Sequence, residues 1–273
     1  MLPPDDDRPA NVTASNEAHW RPMLEGSDPR FGRFRRFFKH IPGRPRCKTC
    51  LSPFGPPGGP FMRLIGKTPW DKNPHFCRWC YEGLQRRFGG AEIELTMLFA
   101  DVRGSTGLAE RMSATEFSAL MNRFYRVAVD MLIERDAVID KLVGDEIVAL
   151  FVPGLAGAQH ASRAVDGAVA ILEGTGHATG SPWLPIGAAV HTGRAYVGAV
   201  GAEGTFTDFT ALGDAVNTTA RLASAAGTGE ILVSGSTALA ARLATATLER
   251  RQLDLRGRRE PVEVFVVRVV SGR

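Results

Sequence analysis

Apolar and polar positions divide this chain into two textures. From Glu92 onward, short apolar runs alternate with amphipathic stretches. Residues 93–100 are mostly apolar and predict a strand that ends in Asp101-Val102-Arg103-Gly104-Ser105-Thr106. Ser113-Ala114-Thr115-Glu116 has the form of a capping box. Behind it Phe117, Leu120, Met121, Phe124, Val127 and Leu132 recur near helical spacing, which predicts a helix. Residues 137–142 and 147–152 read as two strands around the tight turn Val143-Gly144-Asp145. Residues 157–174 read as a helix, and 186–190 and 195–200 as strands. A helix at 213–225, a strand at 230–233, a short helix at 236–242 and a strand at 262–269 complete the pattern. This α+β order suits a ferredoxin-like antiparallel sheet with helices on one face.

The first 90 residues are different. Residues 1–29 are polar and aperiodic and read as a disordered tail. Residues 30–46 hold seven Lys or Arg and four Phe, with no acid. Phe31, Phe34, Phe37 and Phe38 fit helical spacing, which predicts a short amphipathic helix. The favoured reading packs its Phe side on its own protein; a membrane or nucleic-acid contact is the alternative. Residues 42–76 are rich in Pro and Gly and need a staple to hold a shape. The expected organisation is therefore a tail at 1–29, a basic and Cys-rich module at 30–90, and a larger domain at 91–273.

Charge follows the same division. Residues 1–90 carry 16 basic and 8 acidic groups, whereas 91–273 carry 17 and 21. The overall charge of +4 thus hides a basic end and a mildly acidic body. A basic end suits a regulatory partner or a membrane surface, and does not by itself imply nucleic acid. No run of about 18 apolar residues occurs, which argues against a membrane-spanning helix. Met1–Asp7 lacks the pattern of a secretory signal, so a cytoplasmic location is expected.

All four cysteines lie in the basic third, as Cys47-Lys48-Thr49-Cys50 and Cys77-Arg78-Trp79-Cys80. Two such knuckles supply four thiolates, as a tetrahedral zinc site requires. Zinc is the favoured occupant; an iron–sulfur cluster and redox thiols are the alternatives. His75 beside the second knuckle is a possible substitute ligand.

Two carboxylates stand out in the larger domain. Asp101 ends an apolar strand and opens a loop with Gly104, Ser105 and Thr106. Asp145 sits on a turn between two strands. If that hairpin lies beside the first strand, both carboxylates reach one sheet edge and repel unless a cation sits between them. Two Mg²⁺ ions held in this way can activate a hydroxyl and neutralise a triphosphate.

Three segments carry a family resemblance. Residues 98–106, the run Lys141-Leu142-Val143-Gly144-Asp145-Glu146, and residues 209–222 resemble, in order, three motifs of the class III nucleotidyl cyclases. The resemblance covers about residues 92–270. It implies Asp101 and Asp145 as ligands of two Mg²⁺ or Mn²⁺ ions, with the Val102 carbonyl on one of them. It implies Lys141 as a purine-reading residue of the adenylyl type, where guanylyl cyclases place an acid. Thr210 matches the second purine-reading position, where many adenylyl cyclases have Asp. The chain resembles the subgroup with Thr, which includes bicarbonate-responsive members. Asn217 and Arg221 match the transition-state pair. They lie four apart on one predicted helix face, so an amide and a guanidinium can converge. Arg256 or Arg258 matches the loop that brings a basic group to the triphosphate, although the family usually has Lys there. His191-Thr192-Gly193 resembles a family turn of structural role. The implied activity is conversion of ATP to cyclic AMP and pyrophosphate in a homodimer with composite sites. The alternatives are a guanylate cyclase and a catalytically silent cyclase-like domain that senses or dimerises.

Overall fold

The computed structural model describes residues 10–80, 89–202, 206–258 and 260–269. The N-terminal part holds helices α1 (Ala10–Leu24), α2 (Pro29–Phe38) and α3 (Gly58–Leu64), then the small hairpin β1 (Pro69–Trp70) and β2 (Asn73–Cys77). The larger domain runs β3 (Gly89–Val102), α4 (Ser105–Arg111), α5 (Ala114–Glu134), β4 (Val138–Val143), β5 (Glu146–Phe151), α6 (Pro153–Ala156) and α7 (His160–Gly174). It continues β6 (Ile186–Ala202), β7 (Phe206–Leu212), α8 (Asp214–Ala225), β8 (Glu230–Ser234), α9 (Gly235–Ala240), β9 (Glu249–Leu253) and β10 (Val262–Arg268).

The main sheet has the order β4-β5-β3-β6-β8-β10-β9, with β7 added on the far half of β6. Pairing is antiparallel except between β6 and β8. Its spine is an unbroken ladder of β3 on β6, from Gly89 opposite Ala199 to Val102 opposite Ile186. At the crowded end Gly90 faces Gly198; a Cβ on Gly198 would lie 2.4 Å from the Gly90 Cα, so neither position accepts a side chain.

Both faces of this sheet are covered. Side chains alternate along β3, so Leu98 and Ala100 meet Phe124 and Leu132 of α5 and Ala164 and Ile171 of α7. Leu95, Met97 and Phe99 face the other way, toward α8, α1 and the cysteine module. The expectation of helices on one face is thereby corrected. The expected tail at 1–29 is corrected as well, from Ala10 onward. Trp20, Met23 and Leu24 share one face of α1, and Trp20 is only 1% exposed. Burying three such side chains contributes about 2 kcal/mol apiece, enough to dock a helix that otherwise carries small and polar residues and one valine. Residues 1–9 fall outside the described part.

The predicted capping box forms. The Ser113 hydroxyl accepts from the Glu116 N–H, and Glu116 accepts from the Ser113 N–H at 2.8 Å. The aromatic helix at α2 also forms, with Phe38 buried, Phe34 half-buried and Phe37 68% exposed. His191-Thr192-Gly193 is no turn: it lies inside the continuous strand β6, where His191 bonds Ser234 at 2.9 Å. In the main sheet, the strands β7 and β9 were not anticipated, and neither was the β1–β2 hairpin.

Candidate active site

The ends of β3 and the β4–β5 hairpin build the acidic part of the site. Asp101 pairs with Glu146 in the β3–β5 ladder, and the Val102 N–H donates to the Asp145 carbonyl at 3.2 Å. Asp101 and Asp145 therefore share one sheet edge, as their sequence positions implied. Gly144 supplies the left-handed residue of the turn (φ 63°), and Tyr125 of α5 donates its hydroxyl to the Gly144 carbonyl at 2.6 Å. Burial pushes Asp101 up to about 6, with Arg103 opposing and Asp145 adding to the rise. Burial, then Asp101 and Asp145, push Glu146 up to about 7. A carboxylate cluster of this kind fits a hard divalent cation, whose charge offsets what burial and mutual repulsion cost. Arg103 pairs with Asp101 and also reaches the Ser224 carbonyl at 3.2 Å. Gly104 and Thr106 are exposed and Ser105 half-buried, at the start of α4 beside the carboxylates.

A second group sits on α8. Asn217 is exposed and Arg221 half-buried, one turn apart. The guanidinium of Arg221 lies against the late loop, because a Cβ on Gly257 would be 3.5 Å from its Nη2. Arg258 reaches the same helix, donating to the Thr218 hydroxyl at 2.6 Å and pairing with Asp214 at 3.3 Å. Both loop arginines are exposed, but among the described contacts Arg258 is the one tied to α8, beside Asn217 and Arg221. The sequence left that choice open.

The third group joins β4 and β7. Lys141 projects from β4 with its Nζ 3.8 Å from Asp140, and Thr210 of β7 donates its hydroxyl to the same carboxylate at 3.0 Å. Asp140, a residue that sequence reasoning missed, thus links Lys141 and Thr210. Among the described residues, no hydrogen bond or ion pair joins Asp101 or Asp145 to Lys141, Thr210, Asn217 or Arg221.

The cysteine module lies against this third group. Cys47, Cys50, Cys77 and Cys80 are all buried, with sulfurs within 4.8 Å of one another. Cys50 and Cys77 lie 3.7 Å apart, close to the edge of a tetrahedron drawn with zinc–sulfur bonds of about 2.3 Å. Hydrogen bonds from Cys50, Cys77 and Cys80 pull the Cys47 thiol down, while the same sharing pushes Cys77 and Cys80 up. All four sulfurs can be thiolates at these separations only around a cation. Lys67 gives a second sign of thiolate charge. It is 2% exposed, boxed by Trp79 at 3.8 Å and Phe38 at 4.5 Å, and its Nζ points at Cys50 Sγ from 3.8 Å. A buried ammonium needs an anion, and the cysteine cluster provides one. His75 instead lies 3.6 Å from Asp136, outside the four-sulfur cluster.

The sequence profile of the adenylate and guanylate cyclase catalytic domain matches residues 91–268. Adenylate cyclase 1 of Rhizobium meliloti is 31% identical over 144 residues, which are 50% of this chain and 22% of that protein. The adenylate cyclase of Anabaena cylindrica is 34% identical over 134 residues, 47% of this chain and 26% of that protein. The chain thus spans about a quarter of the length of these curated relatives. Among solved structures, the adenylyl cyclase CyaB of P. aeruginosa superposes with a TM-score of 0.58 at 31% identity, covering 68% of this chain and 98% of that one. The guanylyl cyclase Cya2 does so with a TM-score of 0.60 at 29% identity, covering 66% and 94%. Because that profile spans well over half of the chain, the chain belongs to the adenylate and guanylate cyclase family and carries its class III catalytic domain.

Proposed function

We propose that this chain is an adenylate cyclase that converts ATP to 3′,5′-cyclic AMP and pyrophosphate. The observation that carries the choice of purine is the Lys141–Asp140–Thr210 group. Lys141 donates, which suits adenine N1, an acceptor; guanine N1 carries a hydrogen. Thr210 has given its hydrogen to Asp140 and offers a lone pair to the adenine amino group. Relatives named as adenylate cyclases support the reading, although Cya2, a guanylyl cyclase, is about as similar.

In this reading the ribose 3′-hydroxyl attacks the α-phosphorus and pyrophosphate leaves. Asp101 and Asp145, with the Val102 carbonyl, would hold two Mg²⁺ or Mn²⁺ ions. When bound, such ions lower the pKa of the attacking hydroxyl and neutralise triphosphate charge. Asn217 orients the ribose end, and Arg221 donates to the phosphorane-like centre. Arg258 and the N–H groups of Gly104, Ser105 and Thr106 face the triphosphate oxygens. The lack, among the described residues, of any direct hydrogen bond or ion pair between the carboxylates and Lys141, Thr210, Asn217 or Arg221 supports a homodimer in which each site draws on both protomers. The deciding experiment is product identification with Mg²⁺ or Mn²⁺. Cyclic AMP from ATP is expected, and preference for GTP would overturn the reading.

The same proposal places a structural zinc at Cys47, Cys50, Cys77 and Cys80, supported by the sulfur spacing and by Lys67. Metal analysis should find about one zinc per chain. A coloured protein containing iron would contradict it. Cys47→Ser with Cys50→Ser should remove the metal and unfold the module.

A further inference from the structure

The hairpin of the cysteine module ends in Asp71-Lys72, and that tip is inserted between β4 and β7. The Ile139 N–H donates to the Lys72 carbonyl at 3.1 Å, and the Asn73 amide donates to the Ala137 carbonyl at 2.6 Å. Trp70 meets the Phe209 ring edge-on at 5.7 Å. Lys72 Nζ donates to the carbonyls of Asp140 and Phe209, both at 2.9 Å, and lies 3.0 Å from Asp208 and 3.7 Å from the Asp140 carboxylate. One ammonium therefore ties together the strand that carries Lys141 and the strand that carries Thr210.

From this geometry we infer that the module sets the purine preference of the cyclase, with Lys72 and Asp140 as positioning residues for Thr210. The inference rests on the adenylate reading above and deepens it. A threonine hydroxyl has one hydrogen and can read either purine: as an acceptor it suits the amino group of adenine, and as a donor it suits the O6 of guanine. Its direction decides the choice. Asp140 is buried, and as a carboxylate it has no hydrogen to give, so it takes the one from Thr210. Thr210 is then left as an acceptor toward the base. Burial pushes the Asp140 carboxyl up, and Lys72, then the Thr210 hydroxyl and Lys141, oppose that rise and favour its charged form. The module is thus more than an appended staple, because its hairpin supplies a cation behind the base-reading strand. Cys77, the last residue of β2, links the four-cysteine cluster to the same hairpin.

The test is kcat/KM for ATP and for GTP in the full chain. Asp140→Asn is nearly isosteric, but its amide can donate to Thr210 and free the hydroxyl hydrogen for guanine. The ATP-to-GTP ratio should fall by about tenfold or more, the scale at which a reversed polar contact discriminates. Lys72→Met should lower the ratio in the same direction, and Lys72→Arg, which can donate to both carbonyls, should restore it. On a Thr210→Val background, Asp140→Asn should leave the ratio where it stands. If Asp140→Asn does not fold, the Lys72 pair carries the test alone. Equal loss with both substrates, at an unchanged ratio, would reduce Lys72 and Asp140 to structural struts and overturn the inference. A wild-type chain that prefers GTP would instead overturn the adenylate reading itself, so the two failures are distinguishable.

Discussion

Replacing either Asp101 or Asp145 by alanine should reduce cyclic AMP formation by roughly a thousandfold, the rate equivalent of losing about 4 kcal/mol of metal-assisted charge stabilisation. The fold should survive. Asp101, Asp145 and Glu146 crowd one sheet edge, and burial with mutual repulsion raises Asp101 and Glu146 above the ordinary carboxylate range. Removing one member relieves that repulsion, so the melting temperature without divalent cation should hold or rise. The pair of measurements is product quantified by chromatography and a thermal melt of the same preparation. Undiminished turnover in either variant would remove these residues from the metal site.

Mixing two inactive variants should return activity. Asp101→Ala damages the carboxylate group and Asn217→Ala the α8 group. If each site takes one group from each protomer, a mixed dimer has one site with both lesions and one with neither. Random pairing makes half of the dimers mixed, and each has one working site of two, so about a quarter of wild-type activity is expected. Subunit exchange would be demonstrated by tagged protomers. Exchange without recovery would mean that each chain closes its own site.

Much of the catalytic domain was legible in the sequence because its signals are local. The Ser113 capping box, the Gly144 turn and the strand-ending Asp101 each depend on a few neighbouring residues, and each is where it was read. What was missed depends on contacts between distant segments. The run Leu95-Thr96-Met97-Leu98-Phe99-Ala100 has apolar residues on both faces of a strand, a sign of two-sided coverage that was read only as a strand. Helix α1 docks through Trp20, Met23 and Leu24 alone, a spacing of three and four within a polar stretch too short to show a period. Strand β9, Glu-Arg-Arg-Gln-Leu, is a charged edge strand with little alternation to detect. Asp140 and Lys72 were invisible for the same reason. They are 68 residues apart in sequence, and only the docked hairpin brings them together.

The long ladder of β3 on β6 also governs the order in which the molecule assembles. It zips together segments roughly a hundred residues apart, so a large loop must close before any rung of it gains, and folding over milliseconds to seconds is expected. Refolding complete in microseconds would contradict this. The cysteine knuckles, by contrast, close a loop of fewer than forty residues that precedes the sheet in the chain. During synthesis the module emerges before β4 and β7, and under the zinc proposal it is expected to take its metal before those strands exist. The hairpin tip is ready first and waits for the strands it will clamp, while Trp20, Met23 and Leu24 stay uncovered until β3 follows them. Under that proposal the segment richest in Pro and Gly is expected to be ordered first, and the catalytic sheet to fold onto it.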